Sequence, residues 1–260
     1  MAAPSAAAER RKRAGPWRLR LLLALATLLV PLVAGFVTLA NTPLGPMPEA
    51  VAALQPDAQV RVETGRWLTF RPAASRDALT GLIIYPGGRV DPRSYAPLAH
   101  DVAREGHLAV IVPMPLNLAI LGIDRATEVM GAFPAVQRWA IGVHSLGGTM
   151  AARYVYRHPG AVQGLVLWAA YPASSNDLSE RDLAVVAIYG TADGLSTEAE
   201  IDAAHRLLPS TTEWVRIEGG NHAQFGWYGR QPGDNPATIS REAQQQQALA
   251  ATLKLLRQLD

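Results

Sequence analysis

Beyond residue 80 the chain is a succession of short, unbroken apolar runs separated by stretches of helical periodicity, and few architectures accept that pattern. The runs are Gly81 to Tyr85 (GLIIY), Leu108 to Val112 (LAVIV), Trp139 to Val143 (WAIGV), Val162 to Trp168 (VQGLVLW), Leu183 to Ile188 (LAVVAI) and Glu213 to Ile217. Continuous Val, Ile and Leu suit strands covered on both faces, as in a parallel sheet. Between and after them lie four helical candidates: Pro92 to Arg104, Leu146 to Arg157, Thr197 to Leu208 and Ser240 to Leu259. In the last, Leu249, Leu253 and Leu256 share one face, and Gln244 to Gln247 reads as a solvated one. Ala58 to Thr64 and Trp67 to Arg71 read as two short antiparallel strands ahead of the series. Strand, helix and strand in repetition predict an α/β sandwich, with a mostly parallel central sheet flanked by helices. The 14 residues between Trp168 and Leu183 leave no room for a large cap domain over one end of the sheet.

The N-terminus carries a different signal. Leu21 to Ala40 (LLLALATLLVPLVAGFVTLA) has no charged residue, and about 20 helical residues span the roughly 30 Å hydrocarbon layer of a bilayer. The segment is expected to be a transmembrane signal anchor, in which Pro31 is tolerated. A cleaved signal peptide is the competing reading, with Thr38 to Ala40 as an acceptable cleavage site and a secreted product. Residues 1–20 hold six Lys or Arg against one Glu, a basic tail expected to remain cytoplasmic. Residues 41–57, with Pro43, Pro46, Pro48 and Pro56, are expected to form a semi-rigid spacer before a domain over residues 58–260, on the far side of the cell membrane.

Composition excludes several classes of function. The net charge of +2 belongs to the tail; the remainder is slightly acidic, so no nucleic-acid partner is expected. There is no cysteine, which removes disulfides, thiolate catalysis and Cys-ligated metals. No Walker loop, G-x-G-x-x-G or H-E-x-x-H occurs, and no cofactor or metal is expected.

In a parallel sheet, function collects where the carboxyl ends of strands meet loops and helix N-termini. Three such ends carry candidate groups. After Trp139 to Val143 comes His144-Ser145-Leu146-Gly147-Gly148, a serine at a strand-to-helix turn with small residues behind it that let the helix approach. After Leu183 to Ile188 comes Tyr189-Gly190-Thr191-Ala192-Asp193-Gly194, and after Glu213 to Ile217 comes Gly219-Gly220-Asn221-His222. A serine hydroxyl needs an imidazole to take its proton, and the imidazole needs a carboxylate to fix its tautomer. Ser145 is therefore expected as nucleophile, His222 as base and Asp193 as the acid behind it, with Asp177 as an alternative acid. The Leu146 and Gly88 amides are the candidate oxyanion donors, one at a helix N-terminus and one in the Pro86-Gly87-Gly88 turn. His100, His107, His158 and His205 are expected on the surface, and His144 is expected to point away from the nucleophile.

With these residues the chain resembles the α/β-hydrolase superfamily, family 5 type, a bacterial branch related to dienelactone-hydrolase-like proteins. The segments that carry the resemblance are Tyr85 to Ala99, Met114 to Gly122, His144 to Gly148, Tyr189 to Leu195 and Gly219 to Asp234. It implies an α/β-hydrolase fold and the same triad and oxyanion residues, and supplies no substrate. One position departs from the pattern: Val143, two before the serine, where a small residue is usual. Its branched side chain is expected to crowd the turn and open it slightly. The function expected is hydrolysis of a carboxylic ester, thioester or lactone through an acyl-serine, at an open site suited to short-chain or surface-accessible esters. The alternatives are acyl transfer or peptide hydrolysis by the same triad, or a membrane-tethered scaffold that keeps the fold without activity.

Overall fold

The computed structural model describes residues 16–74 and 80–260; most of the basic tail lies outside the described residues. Two compact units divide at residue 39. The first is built from helix α1 (Pro16–Asn41), which runs through Pro31 without a break. Among the described residues, Leu23–Asn41 is the one stretch long and apolar enough to cross a membrane.

The second unit contains β1 (Val60–Thr64), β2 (Leu68–Pro72), β3 (Thr80–Tyr85), β4 (Leu108–Ile111), β5 (Arg138–His144), β6 (Gly164–Trp168), β7 (Ala184–Gly190) and β8 (Glu213–Ile217). Its helices are α2 (Pro48–Ala52), α3 (Ala96–Arg104), α4 (Arg125–Ala132), α5 (Leu146–Arg157), α6 (Glu198–Ala204) and α7 (Arg241–Leu259). The strands form a single sheet in the order β1-β2-β4-β3-β5-β6-β7-β8. Pairing is parallel from β4 onward and antiparallel only where β2 meets β1 and β4. The expected α/β-hydrolase fold is the one observed.

The unbroken apolar runs are explained by burial on both faces. Leu82, Ile84, Val166, Trp168, Val186 and Ile188 point into one core with residues of α3 and α7. Their neighbours Ile83, Tyr85, Leu165, Leu167, Val185 and Ala187 point into a second core with α4 and α5. Alternate residues of one strand thus feed opposite layers, and each aliphatic side chain so buried is worth about 2 kcal/mol relative to exposure.

Three expectations need correction. Residues 41–57 do not stand clear of the domain: Leu44 forms a parallel bridge to Val90, Ala50 is fully buried, and Leu44 and Leu54 pack on the core. The prolines start and bend this segment, but its apolar residues dock. Gln244 is buried, not solvated, because it shares a face of α7 with Ala248, Ala251 and Leu255. His100 and His107 are buried as well; His100 lies edge-on to Phe70 and 3.7 Å from Asp57.

Candidate active site

The carboxyl ends of β3, β5, β7 and β8 supply the candidate groups. Between β5 and α5, Ser145 adopts φ 52° and ψ −127°, a left-handed conformation that is costly for a residue with a side chain. The turn closes tightly around it. A Cβ on Gly142 would lie 1.8 Å from the Val166 carbonyl oxygen, and one on Gly147 would lie 2.1 Å from that of Tyr85. Small residues are therefore obligatory at both positions. Val143, the residue that departs from the pattern, itself takes φ 126°, a costly conformation for a β-branched residue. Its side chain is fully buried, and positive φ is found at both Val143 and Ser145.

On the loop after β7, Asp193 is buried and accepts three hydrogen bonds. Leu195 N and Ser196 N donate to Oδ1 at 2.8 and 2.7 Å, and His222 Nδ1 lies 2.8 Å from Oδ2. With Nδ1–H donating to the Asp193 carboxylate, His222 is held in the tautomer that leaves Nε2 as a base. Nε2 is buried and has no hydrogen-bond partner, so the expected bond to Ser145 is not formed. The His222 ring packs 4.5 Å from that of His144, the residue next to the serine. Asp177 is exposed and bonds to Ser179 N; it plays no part here.

The two candidate oxyanion donors are neighbours. A Cβ on Gly88 would fall 3.1 Å from Leu146 Cδ2 and 3.5 Å from Leu146 Cβ, so the turn after β3 lies against the start of α5. Leu146, at the first position of α5, has an amide that no helical carbonyl can reach.

His144 is tied into this arrangement. Gly87 N donates to Tyr95 Oη at 3.0 Å, and Tyr95 Oη lies 2.8 Å from His144 Nδ1. Burial, and to a lesser extent the adjacent His222, push the His144 pKa well below the ordinary histidine range. Burial raises that of Tyr95, so both groups are neutral and the hydroxyl donates to the imidazole. A chain of two hydrogen bonds thus connects the residue before the serine to the turn that carries Gly88. Tyr95→Phe leaves the Gly87 amide and His144 Nδ1 without partners. The expected result is a fall in kcat of about tenfold with KM little changed, and a stability loss of about 2 kcal/mol; steady-state kinetics and thermal unfolding measure both.

Three further residues escaped the sequence reading. Asp234 binds both the acid and base loops: it accepts from Gly194 N at 3.1 Å, His222 N at 3.3 Å and Ala223 N at 2.8 Å. Gln244 accepts from Asn221 N and donates to Asn221 O, at 3.0 and 2.7 Å. Arg241 donates to the carbonyls of Ala223, Gly226 and Gly229, so a guanidinium organises the backbone that follows the histidine. Signals for two of them were available. Asp234 ends the segment Gly219 to Asp234, and the helical period places Gln244 in line with Ala248 and Leu255. Asp234→Ala unties the two loops at once, and kcat/KM is expected to fall roughly 30-fold in the same assay, as for loss of an outer partner that orients a catalytic histidine. Unchanged kinetics would show that the loops hold their places alone. No cluster of three or more His, Asp or Glu able to hold a metal occurs among the described residues.

This arrangement matches a known family. The model of the alpha/beta hydrolase family covers residues 81–246, from β3 into α7. The chain belongs to the alpha/beta hydrolase family. It is a hydrolase by that membership. No curated protein matches it in sequence. Among solved structures, it is similar to a dienelactone hydrolase from Anabaena variabilis, with a TM-score of 0.59 at 16% identity, covering 76% of this chain and 100% of that one. It is also similar to a thermophilic esterase from Thermogutta terrifontis, with a TM-score of 0.55 at 15% identity over 80% of this chain and 96% of that one. Esterase 2 of that organism phosphorylated by paraoxon gives the same TM-score and identity, over 77% of this chain and 94% of that one. At these identities the likeness is one of fold.

Proposed function

We propose that this alpha/beta hydrolase is a membrane-anchored serine hydrolase that cleaves a carboxylic ester, thioester or lactone through an acyl-enzyme. The observation that carries the reading is the conjunction of a strained serine turn at the end of β5 with a buried imidazole-carboxylate pair at 2.8 Å beyond the ends of β7 and β8 of the same sheet. Backbone strain in a half-buried serine turn has no structural purpose that a relaxed residue would not serve better, and such strain collects at functional sites.

In the proposed cycle, His222 Nε2 takes the Ser145 proton as Oγ bonds to the substrate carbonyl carbon. The carbonyl oxygen becomes an oxyanion that accepts from the Gly88 and Leu146 amides. Collapse breaks the bond to the leaving alcohol or thiol, which receives the proton from His222. Water activated by the same imidazole then adds to the acyl carbon and releases Ser145 and the acid. The Asp193 carboxylate stabilises the imidazolium. Catalytic hydrogen bonds that are open in a resting site tighten when substrate arrives, consistent with the unpartnered Nε2.

The anchor reading rests on the apolar span within α1, with the domain on the far side of the membrane from the basic tail. Rapid-quench hydrolysis of an activated acetyl ester tests the chemistry: an initial burst of leaving group with acetyl recovered on Ser145 is expected. Turnover with no acyl-enzyme at Ser145, even at low pH where deacylation slows, would refute the covalent route. Competing alcohol acceptors in the same assay separate hydrolysis from acyl transfer.

A further inference from the structure

We infer that the mouth of the candidate site lies on the bilayer in which the chain is anchored, and that its substrate is an amphiphilic ester resident in that bilayer. The inference rests on the proposed function and on the proposed anchor, and the geometry that carries it is internal to the second unit.

The chain leaves the apolar span at Ala40, and the next few residues are fastened to the loops of the site. The Ala40 carbonyl accepts from Asn117 Nδ2 at 2.9 Å, and the Thr42 carbonyl from Arg89 Nη2 at 3.2 Å. Leu44 N donates to Arg89 O at 2.7 Å, and Asp91 N to Leu44 O at 3.0 Å. Met47 N donates to Trp227 O at 2.8 Å, five residues past His222. Arg89 follows Gly88 directly, and its own amide donates to Asn117 O at 2.8 Å. The turn bearing the candidate oxyanion donor is thus hydrogen-bonded to residues no more than four beyond the apolar run. Four extended residues reach at most about 14 Å, so by chain length alone this turn stays within that distance of the end of the apolar run, at or just outside the headgroup layer of the membrane.

The loop that holds Ala40 also exposes the side chains a bilayer would cover. Ile120 and Leu121 are 50% and 52% exposed, the most exposed large apolar residues outside α1 among those described. They belong to a short 3-10 turn, Ala119–Leu121, which packs against α5, the helix that Ser145 begins. Polar residues would normally occupy such a turn in water; here two adjacent aliphatic side chains follow three and four residues after Asn117, the residue that bonds the Ala40 carbonyl. A lipid surface meets both demands, shielding them and delivering an ester whose scissile bond lies at headgroup depth. A freely diffusing substrate requires neither the pinned segment nor the exposed pair.

The absence of cysteine makes a direct test available. In the full chain reconstituted into phosphatidylcholine vesicles, Ile120→Cys, Leu121→Cys and Glu180→Cys would each carry an environment-sensitive nitrobenzoxadiazole dye. Glu180 adjoins Arg181, which bonds the Tyr156 carbonyl near the far end of α5 from Ser145. Dyes at 120 and 121 are expected to be blue-shifted and quenched by nitroxide-labelled lipid, with the dye at 180 unaffected. Dyes at 120 and 121 that report water, or quenching equal at all three, would overturn the placement.

The substrate class is read separately on the same vesicles. Ile120→Ser combined with Leu121→Ser is expected to lower kcat/KM for a fluorogenic oleate ester embedded in the bilayer by about tenfold, with hydrolysis of a soluble butyrate ester unchanged. Equal effects on the two esters, or none, would overturn it. If wild type cleaves neither ester, the hydrolase reading itself falls, and the dye measurement still decides the placement.

Discussion

Ser145→Ala is expected to reduce hydrolysis of an activated ester by about a million-fold, and His222→Ala by nearly as much, with the double variant no slower than either single one. The loss is large because neither group works alone: alanine at 145 leaves nothing for the imidazole to deprotonate, and alanine at 222 leaves a hydroxyl whose proton has no acceptor. Residual turnover should remain above the uncatalysed rate, since the proposed oxyanion donors, the Gly88 and Leu146 amides, are left in place. Neither change should unfold the protein. Ser145 is partly exposed, and its removal relieves no contact in either core, while His222→Ala leaves Asp193 its two backbone donors. Steady-state rates for the four chains, with thermal unfolding as control, provide the check; additive losses would mean that the two residues act independently and would argue against a triad.

Asp193→Asn is the second large effect, expected near ten-thousand-fold in kcat. Two backbone amides fix Oδ1 of Asp193, so an asparagine there keeps its oxygen on those amides and turns its NH2 toward His222 Nδ1. A donor facing a donor cannot persist, and the imidazole responds by moving its proton to Nε2. The lone pair that should accept the serine proton is then occupied. The fold is preserved, which distinguishes this variant from Asp193→Ala, where Leu195 N and Ser196 N also lose their acceptor. Asp177→Asn, on an exposed turn, should leave the rate unchanged and serves as the matched control.

The sheet was legible because burial on both faces leaves an unmistakable trace: strands such as β3 and β6 read as continuous apolar segments and were placed within two residues of their bounds. The candidate residues at the strand ends stood out for a related reason, since each lies among glycines that the tight turns require. What escaped was structure whose determinants are remote in sequence. The segment 41–57 looks like a spacer by its prolines, yet Leu44 finds a strand-like partner in Val90, which no local pattern announces. Gln244 sits in a glutamine run that reads as solvated, but it is buried because a loop 23 residues earlier needs a donor and an acceptor together. Helix α4 was missed because Arg125–Ala132 is short and only Ala126 and Val129 of it are buried. His100 and His107 were misplaced because a helical or pre-strand histidine carries no mark of which way it faces.

The account stands or falls on whether Ser145 is an activated nucleophile. The most direct measurement is to treat the full chain in detergent with a fluorophosphonate at neutral pH and locate the adduct by peptide mass spectrometry. The account predicts one phosphonyl group per chain, on Ser145, formed much faster than on a free serine and lost in both Ser145→Ala and His222→Ala. A folded wild-type protein that takes up no label, or one whose label persists in Ser145→Ala, would contradict it.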